Sequence, residues 1–409
     1  MRGPLRERNF QIYLLGNAIS WLGTWAQRIG VGWLSWDLTH NTAWVGAISL
    51  AQLLPLIVLG PLFGTLLDRH DHRRYALGVN LLLSLLALLL YALTAAHVMR
   101  IEWLFVMAIL LGIANSAYQA VRLSMVNHIV APGQLPAAIA INSVVFNLTR
   151  ALGPAIAGVI VASFGIAMAF AANAVSFVGI LVALLIVRIR PRASQPAPRG
   201  LMAESIEGLR YLWQHAELRQ LLLLSGVTSL FGRGIVELLP AFADVAFRRG
   251  TLGFAHLTTA AGVGAIAGAL LLSQARAGLQ LRRITRCSTL SLGGAICAFG
   301  FCTSFPVGLL AITLIGFLIV LCSVGLQVRV QTAVADGYRG RVLGLWIAVN
   351  LAGPGLGAAM AGAIAQLLGL RFVAAAAGSL CLALVAWITL SDGTGARRKE
   401  PPASAPAPP

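Results

Sequence analysis

Charged residues are scarce in this chain of 409 residues: 11% are Asp, Glu, Lys or Arg, whereas 58% are hydrophobic. A water-soluble globular protein carries about a quarter charged residues, so this composition excludes an ordinary soluble globule. Roughly 20 apolar residues span a bilayer, and the chain is long enough for about a dozen such spans. The sequence therefore predicts an all-α membrane protein.

Residues that enzymes use for covalent or cofactor chemistry are also missing. Lys399 is the only lysine and lies near the end of the chain, so there is no Walker lysine and no ATP-binding loop. The five cysteines form no CxxC pair, which predicts neither a disulfide framework nor a zinc site. The spans contain no paired carboxylates. We therefore expect no enzyme activity, no cofactor and no metal.

The net charge of +17 could indicate a nucleic-acid-binding protein, but the placement of the arginines argues against it. Arginines are frequent in alternate loops, and the loops between them carry few basic residues, namely Arg100, Arg248, Arg249 and Arg371. This alternation is the positive-inside pattern of membrane proteins. It predicts that both termini are cytoplasmic and that nucleic acid is not a partner.

Twelve spans are predicted, at residues 9–37, 42–67, 74–97, 101–123, 136–162, 165–188, 218–247, 252–274, 284–305, 307–330, 341–367 and 370–390. The first is too long for a cleavable signal peptide, so we expect it to be retained. The predicted domains are an N-terminal bundle at 1–190, a cytoplasmic linker with an amphipathic helix at 191–217, a C-terminal bundle at 218–390 and a disordered tail at 391–409.

A weak internal repeat relates the two halves. Three glycines recur 204 residues further along the chain, so that Gly133, Gly153 and Gly158 correspond to Gly337, Gly357 and Gly362. Transporters built from repeated six-helix units bind their substrate between the repeats, near the middle of the bilayer. The repeat therefore predicts two pseudo-symmetric six-helix bundles.

The loop between the second and third spans reads Gly-Thr-Leu-Leu-Asp-Arg-His-Asp-His-Arg-Arg over residues 64–74. It resembles motif A of the major facilitator superfamily, although Asp71 and His72 replace that motif's second glycine and first basic residue. The resemblance implies a transporter whose cytoplasmic gate places Asp68 against the start of the eleventh helix, with Arg122 as its charge partner. The implied gate residues are Gly64, Asp68, Arg69, Arg73, Arg74 and Arg122.

The fifth span carries a second motif, formed by Arg150, Gly153, Pro154 and Gly158. It resembles motif C of the superfamily, which is associated with antiporters. Its proline softens the helix, and its glycines allow close packing. The fourth span departs from the drug exporters, because its arginine, Arg122, lies near the cytoplasmic end and cannot take the place of the intramembrane arginine of motif B.

Finer similarity extends over nearly the whole chain. The segments that carry it are residues 20–25, 38–39, 147–154, 207–211 and 339–342. They resemble the transmembrane secretion effector family, a bacterial exporter branch of the superfamily that contains the enterobactin exporter. The resemblance implies export of a siderophore or a drug-like molecule.

Polar side chains form stripes at helical spacing on several spans. The candidates for a substrate cavity are Asn17, Trp21, Thr24 and Arg28 on the first span, Asn115, Tyr118 and Gln119 on the fourth, and Ser229 on the seventh. In the superfamily, helices 1, 4 and 7 line the central pathway. The uncharged residues fit either a cavity or hydrogen bonds between helices, and the pattern leaves both open.

Glu237 is the one acid that lies well inside an apolar span, and Arg233 precedes it by one turn. Intramembrane charges are costly and mark functional sites. We predict that Glu237 binds the coupling proton with Arg233 as its conformation-dependent partner, and that Asp37 is the next candidate. A permanent ion pair that only holds the seventh helix in place is the alternative.

The predicted protein is therefore a monomeric secondary transporter of the bacterial inner membrane. It exports a small amphipathic molecule by alternating access with proton antiport, so its partners are the substrate, protons and the lipid bilayer. Two alternatives remain open: a lipid or lysolipid flippase on the same fold, and a non-transporting membrane sensor or scaffold.

Overall fold

The computed structural model describes residues 4–68, 71–188, 201–274 and 279–396, and these residues form no β-strand. The helices are α1 (Arg8–Thr39), α2 (Thr42–Asp68), α3 (His72–Ala95), α4 (Ile101–Ile129), α5 (Leu135–Phe164), α6 (Ile166–Ile186), α7 (Leu201–Gln214), α8 (Ala216–Glu237), α9 (Leu239–Ala246), α10 (Gly250–Gln274), α11 (Leu279–Phe301), α12 (Phe305–Ala333), α13 (Arg339–Leu368) and α14 (Leu370–Ala396). Because α14 reaches Ala396, the first residues of the predicted tail are helical, and the rest lie outside the described residues.

The all-α membrane fold is confirmed, and the number of spans depends on how polar helices are counted. Within the described residues, ten helices are long and apolar enough to cross a membrane, and α8 with α9 makes an eleventh, bent span. Helix α1 has 32 residues but is more polar, since it carries Asn17, Thr24, Gln27 and Arg28. With α1 included, the order of the helices matches the twelve predicted spans.

The bent span owes its shape to its sequence. Helices α8 and α9 meet at an angle of 43°, directly after Glu237. Pro240 follows the break, and a proline cannot donate the backbone hydrogen bond of a continuous helix. Before the break, the backbone widens into a π-helical turn at Thr228–Arg233. Glu237 therefore lies directly before a break in the helical backbone of a membrane span.

The helices pack as two groups of six spans. In the first half, α1 packs against α5 and α6, α2 against α4, and α3 against α6; in the second half, α10 packs against α12 and α11 against α14. Contacts between the halves run mainly through α2 with α13 and α5 with α10. This arrangement creates two related interfaces on either side of a central axis.

The glycines that repeat in the sequence make equivalent helix–helix contacts in the two halves. The related contacts are Gly153 with Trp25, Gly158 with Ala255, Gly357 with Leu230 and Gly362 with Thr42. Gly153 and its counterpart Gly357 contact α1 and α8, which are equivalent helices of the two halves. Gly158 and its counterpart Gly362 contact α10 and α2, which are equivalent in the same way. Because glycine has no side chain, the helices approach closely, which is how helices associate without a hydrophobic driving force in lipid.

Within the described residues, the close contacts between α2 and α13 lie towards one end of the molecule. We call the end that carries the α1–α2 loop the closed end, because there Thr42 Oγ1 donates to the Gly362 carbonyl oxygen at 2.7 Å. At the opposite, open end, a Cβ added to Gly344 would meet no atom within 4 Å. Val144 of α5 and Val263 of α10 lie on the faces that these two helices turn towards each other, and they are 67% and 51% exposed. The halves therefore diverge towards the open end.

Helix α7 lies in the segment where the sequence predicts an amphipathic linker helix. Leu212 is buried in a cluster with Val342 of α13, and Glu207 forms a 3.0 Å ion pair with Arg341. Trp213 remains 49% exposed, as suits a side chain at a membrane interface. The linker helix is thus held against the start of α13 at the open end.

The close contact between α2 and α13 predicts a different response at two glycines of the same helix. A Cβ at Gly46 would lie 2.6 Å from the Ala359 Cα, whereas a Cβ at Gly60 would come no nearer than 3.9 Å to any atom that could obstruct it. We expect Gly46→Ala to destabilise the protein by about 1–3 kcal/mol, the usual cost of overpacking.

Gly60→Ala is the matched control and should be neutral or slightly stabilising, since alanine favours a helix by up to about 1 kcal/mol over glycine. Thermal unfolding of the two purified variants in the same detergent measures the difference. Equal melting temperatures would show that the α2–α13 contact is not as close as described.

Candidate functional site

An ion pair connects the two halves between the closed end and the middle of the spans. Arg28 of α1 donates from Nη2 to Glu237 Oε1 at 2.5 Å, and their side chains are 33% and 19% exposed. Ser49 of α2 donates to the other carboxylate oxygen at 3.4 Å. Glu237 in the second half is thus held by two helices of the first half.

In this conformation the ion-pair partner of Glu237 differs from the one that helical spacing predicts. The sequence pairs Glu237 with Arg233, but the structure pairs it with Arg28. Helical spacing identifies only neighbours on the same helix, whereas Arg28 reaches the carboxylate from another helix. Arg233 is left with a buried Nη2 atom that has no hydrogen-bond partner within the described part of the chain.

Two further groups of the first half lie around Arg28. Its guanidinium carbon lies 5.6 Å from the centre of the Trp25 ring, and that ring packs against Gly153 of α5. Arg150 lies one turn before Gly153, and its charge interacts with that of Arg28. The motif C segment therefore supports the side of α1 that carries the ion pair, and Arg150 adds a positive charge to it.

A second polar contact between the halves lies nearer the closed end, and it is not among the sites predicted from the sequence. Trp36 Nε1 donates to Asp244 Oδ2 at 3.0 Å, and His40 Nδ1 lies 3.5 Å from the same oxygen. The available signal was the position of Asp244 at the end of an apolar span. Asp37, the second coupling candidate, is exposed and has no such buried setting.

The predicted stripes on the first and fourth spans meet each other. Tyr118 donates its hydroxyl proton to Asn17 Oδ1 at 3.1 Å and accepts a hydrogen bond from Trp21 Nε1 at 2.9 Å. All three side chains are buried within the first half. They satisfy one another, so in this conformation they hold α1 against α4.

Arg122 extends this cluster towards the open end. Its Nε donates to Gln119 Oε1 at 2.7 Å, and its guanidinium lies 4.4 Å from the centre of the Phe146 ring and 5.7 Å from that of Trp21. A guanidinium over aromatic faces is favourable when it is shielded from water. The sequence missed Phe146, since an apolar residue gives no signal of this role.

The remaining cavity candidates donate hydrogen bonds to backbone carbonyl oxygens. Thr24 donates to the Ser20 carbonyl oxygen and Asn115 to that of Leu111, each one turn back and at 2.8 Å. Ser229 is 3% exposed and donates to the backbone of α13. Ser229 therefore lies in helix packing, whereas Thr24 and Asn115 keep partial exposure.

The predicted gate lies at the open end. Gly64 and Asp68 fall in the last turns of α2, and Arg69 lies outside the described residues. Arg73 donates to the carbonyl oxygen of Leu185. The Arg74 backbone N–H donates to Asp71 Oδ1 at 2.8 Å, so the aspartate that departs from the motif caps α3, a position that favours this residue type.

Two six-span halves joined at one end by a partly exposed ion pair indicate a membrane transporter. A family model described as transmembrane secretion effector matches residues 2–400. The chain therefore belongs to this family of major facilitator superfamily transporters.

Relatives and solved structures agree with this assignment. The chain is 26% identical over 333 residues to the staphyloferrin A transporter of Staphylococcus aureus, covering 79% of this chain and 81% of that protein. It is 28% identical over 232 residues to the enterobactin exporter EntS of Escherichia coli, covering 56% and 54%. A bacterial homologue of the lysosomal transporter Spinster has a TM-score of 0.74 at 15% identity, over 97% of this chain and 100% of that one, which shows the fold.

The ion pair predicts a measurable effect on the closed end. Removing either partner leaves a charge with no counterion, which costs about 2 kcal/mol when discounted for the exposure of Arg28. Thr42 and Gln366 touch across the closed end, so cysteines at both positions should form a disulfide readily. We expect Arg28→Gln or Glu237→Gln to slow this cross-linking by roughly 30-fold, the factor that corresponds to that energy.

The exchange of the two charges, Arg28→Glu with Glu237→Arg, should restore cross-linking because it restores the pair. Cysteine accessibility is measured in parallel with a maleimide to correct for local reactivity. Unchanged cross-linking in both single variants would show that the pair does not hold the closed end.

Proposed function

We propose that this protein is a secondary active exporter of the bacterial inner membrane that works by alternating access and moves a siderophore-class molecule outward. The observation that carries the proposal is the Arg28–Glu237 ion pair, which joins the halves at one end while they diverge at the other. Two relatives are a siderophore transporter and a siderophore exporter, which supports the substrate class and the direction.

Alternating access requires a contact between halves that can be broken and remade. The moving units would be the bundles at 1–190 and 218–390, with the linker at 191–217 between them. Between α2 and α13 the closed end is formed by small residues and backbone, and between α1 and α10 Trp33 stacks on Phe254. Neither of these contacts depends on a charge. The Arg28–Glu237 ion pair is directional and charged, and it depends on the protonation state of Glu237, so it is an element that a proton could switch.

Glu237 is the residue that we propose to carry the proton. It is partly shielded, and it pairs across the two halves rather than within its own helix. A protonated Glu237 no longer attracts Arg28 as a charge, which weakens the closed end. The partner in this scheme is Arg28, in place of the Arg233 that helical spacing suggested.

Export by a variant at Glu237 tests this coupling. In everted vesicles with an imposed pH gradient, we expect Glu237→Gln to reduce uptake of the host's siderophore to the level of vesicles without the protein. Exchange of labelled for unlabelled substrate without a gradient should persist, because exchange needs binding and movement but no net proton transfer.

Asp37→Asn is the matched control, since it removes a carboxylate from the exposed end of α1 and should leave gradient-driven transport intact. If Glu237→Gln concentrates substrate at the normal rate, Glu237 is not the coupling residue. A loss in Asp37→Asn instead would move the role to Asp37.

The proposed orientation places the open end in the cytoplasm and the closed end in the periplasm, because arginines concentrate in the loops of the open end. Single cysteines at Arg282 and Arg219 should resist an impermeant maleimide in intact cells with a permeable outer membrane. Cysteines at Arg100 and Arg248 should react in the same cells. The reverse pattern would invert the topology and with it the direction of transport.

A further inference from the structure

Arg28 binds the Glu237 carboxylate between the two halves, and two further arginines lie on the helices that carry or support this pair. Arg28 binds Glu237 directly, and Arg150 is close enough to act on the charge of Arg28. Arg233 lies one turn before Glu237 on α8, which is the same face of an α-helix. The helix segments that carry and support the pair therefore hold three arginines and one glutamate. Such an excess of positive charge is unfavourable in a low-dielectric setting unless an anion compensates it.

The hydrogen bonds show where the compensation is incomplete. The Arg233 Nη2 atom is buried and has no hydrogen-bond partner within the described residues. A buried charged donor without a partner is costly. Within the described residues, the two oxygens of Glu237 accept from Arg28 and Ser49, and no hydrogen bond joins Glu237 to Arg233. This set of arginines therefore has unused capacity to donate hydrogen bonds to an anion.

We propose that the transported molecule is an organic anion that bears a carboxylate, and that this carboxylate displaces Glu237 from Arg28. The proposal rests on the function proposed above and specifies its substrate class. In the empty transporter, Glu237 occupies the anion position and keeps the closed end together. The guanidinium of arginine binds carboxylates through paired hydrogen bonds, so a substrate carboxylate is a direct substitute for the glutamate side chain.

This displacement links binding to movement. A substrate that enters from the open end takes over Arg28, and the contact between α1 and the second half is then lost. The freed Glu237 is available for a proton when the other end opens. A cationic substrate would behave in the opposite way, because it would need Glu237 as its own partner. The sign of the effect of removing Glu237 therefore distinguishes the two classes.

The test measures binding, not transport, to the full-length protein in lipid nanodiscs by isothermal titration calorimetry. The probes are citrate and trimethyl citrate, which share a carbon skeleton but differ in charge. We expect citrate to bind and the neutral ester not to bind. Glu237→Gln should bind citrate at least about tenfold more tightly than the wild type, because the internal competitor is gone and a charged hydrogen bond contributes at least that factor.

Three variants complete the design. Arg28→Gln should lose most citrate binding, and Arg28→Lys should retain part of it because the charge remains. Arg100→Gln is the control, since it removes an exposed arginine of the α3–α4 loop and should leave binding unchanged. A melting temperature is recorded for every variant, and the gain in Glu237→Gln cannot arise from a poorly folded protein.

Several outcomes would overturn the inference: equal binding of citrate and its ester, weaker citrate binding in Glu237→Gln, or no citrate binding in either the wild type or Glu237→Gln. Each of these leaves the export proposal standing, because export is measured separately with the host's siderophore. Binding as expected without any export in vesicles would instead support the anion site and contradict the proposed function.

Discussion

The ion pair between Arg28 and Glu237 is the constraint on which the observed conformation depends. Each charge alone would be costly in a membrane span, and each is tolerated because the other half of the protein supplies its counterion. The pair therefore makes the positions of α1 and α8 interdependent, although 209 residues separate the two side chains in the chain. Removing one partner is more destabilising than replacing both with apolar residues, because a charge without a counterion is left in the span.

The glycine contacts and the ion pair have different physical roles. Glycines such as Gly158 and Gly362 allow backbones to pack closely, and this contact is built from many weak dispersion terms. It sets the geometry of the closed end but responds little to ligands or protons. The ion pair involves fewer atoms than the glycine contacts, but its strength depends directly on the charges of Arg28 and Glu237. A transporter needs both, because the first makes the closed state well defined and the second makes it conditional.

The sequence predicted what depends on neighbours along one helix and missed what depends on contacts between helices. Hydropathy predicted the spans, and the glycine offset predicted related halves. Intramembrane charge drew attention to Arg28 and Glu237, which the structure pairs with each other, whereas helical spacing pointed to the arginine on the same helix as Glu237. Asp244 and Phe146 were missed for the same reason, since their roles come from residues of other helices. Ser229 has the right spacing for a cavity, yet it is buried against α13.

Proton binding and anion binding would be coupled through Glu237 if both proposals hold. A substrate carboxylate on Arg28 leaves Glu237 without its counterion. A proton on Glu237 removes the competitor for Arg28, and any such effect of one ligand on the other is reciprocal. Binding alone would then make the two ligands cooperative. Antiport, in contrast, requires that they bind in turn, so the conformational change must separate them by exposing Glu237 to the outside only after Arg28 has released the substrate.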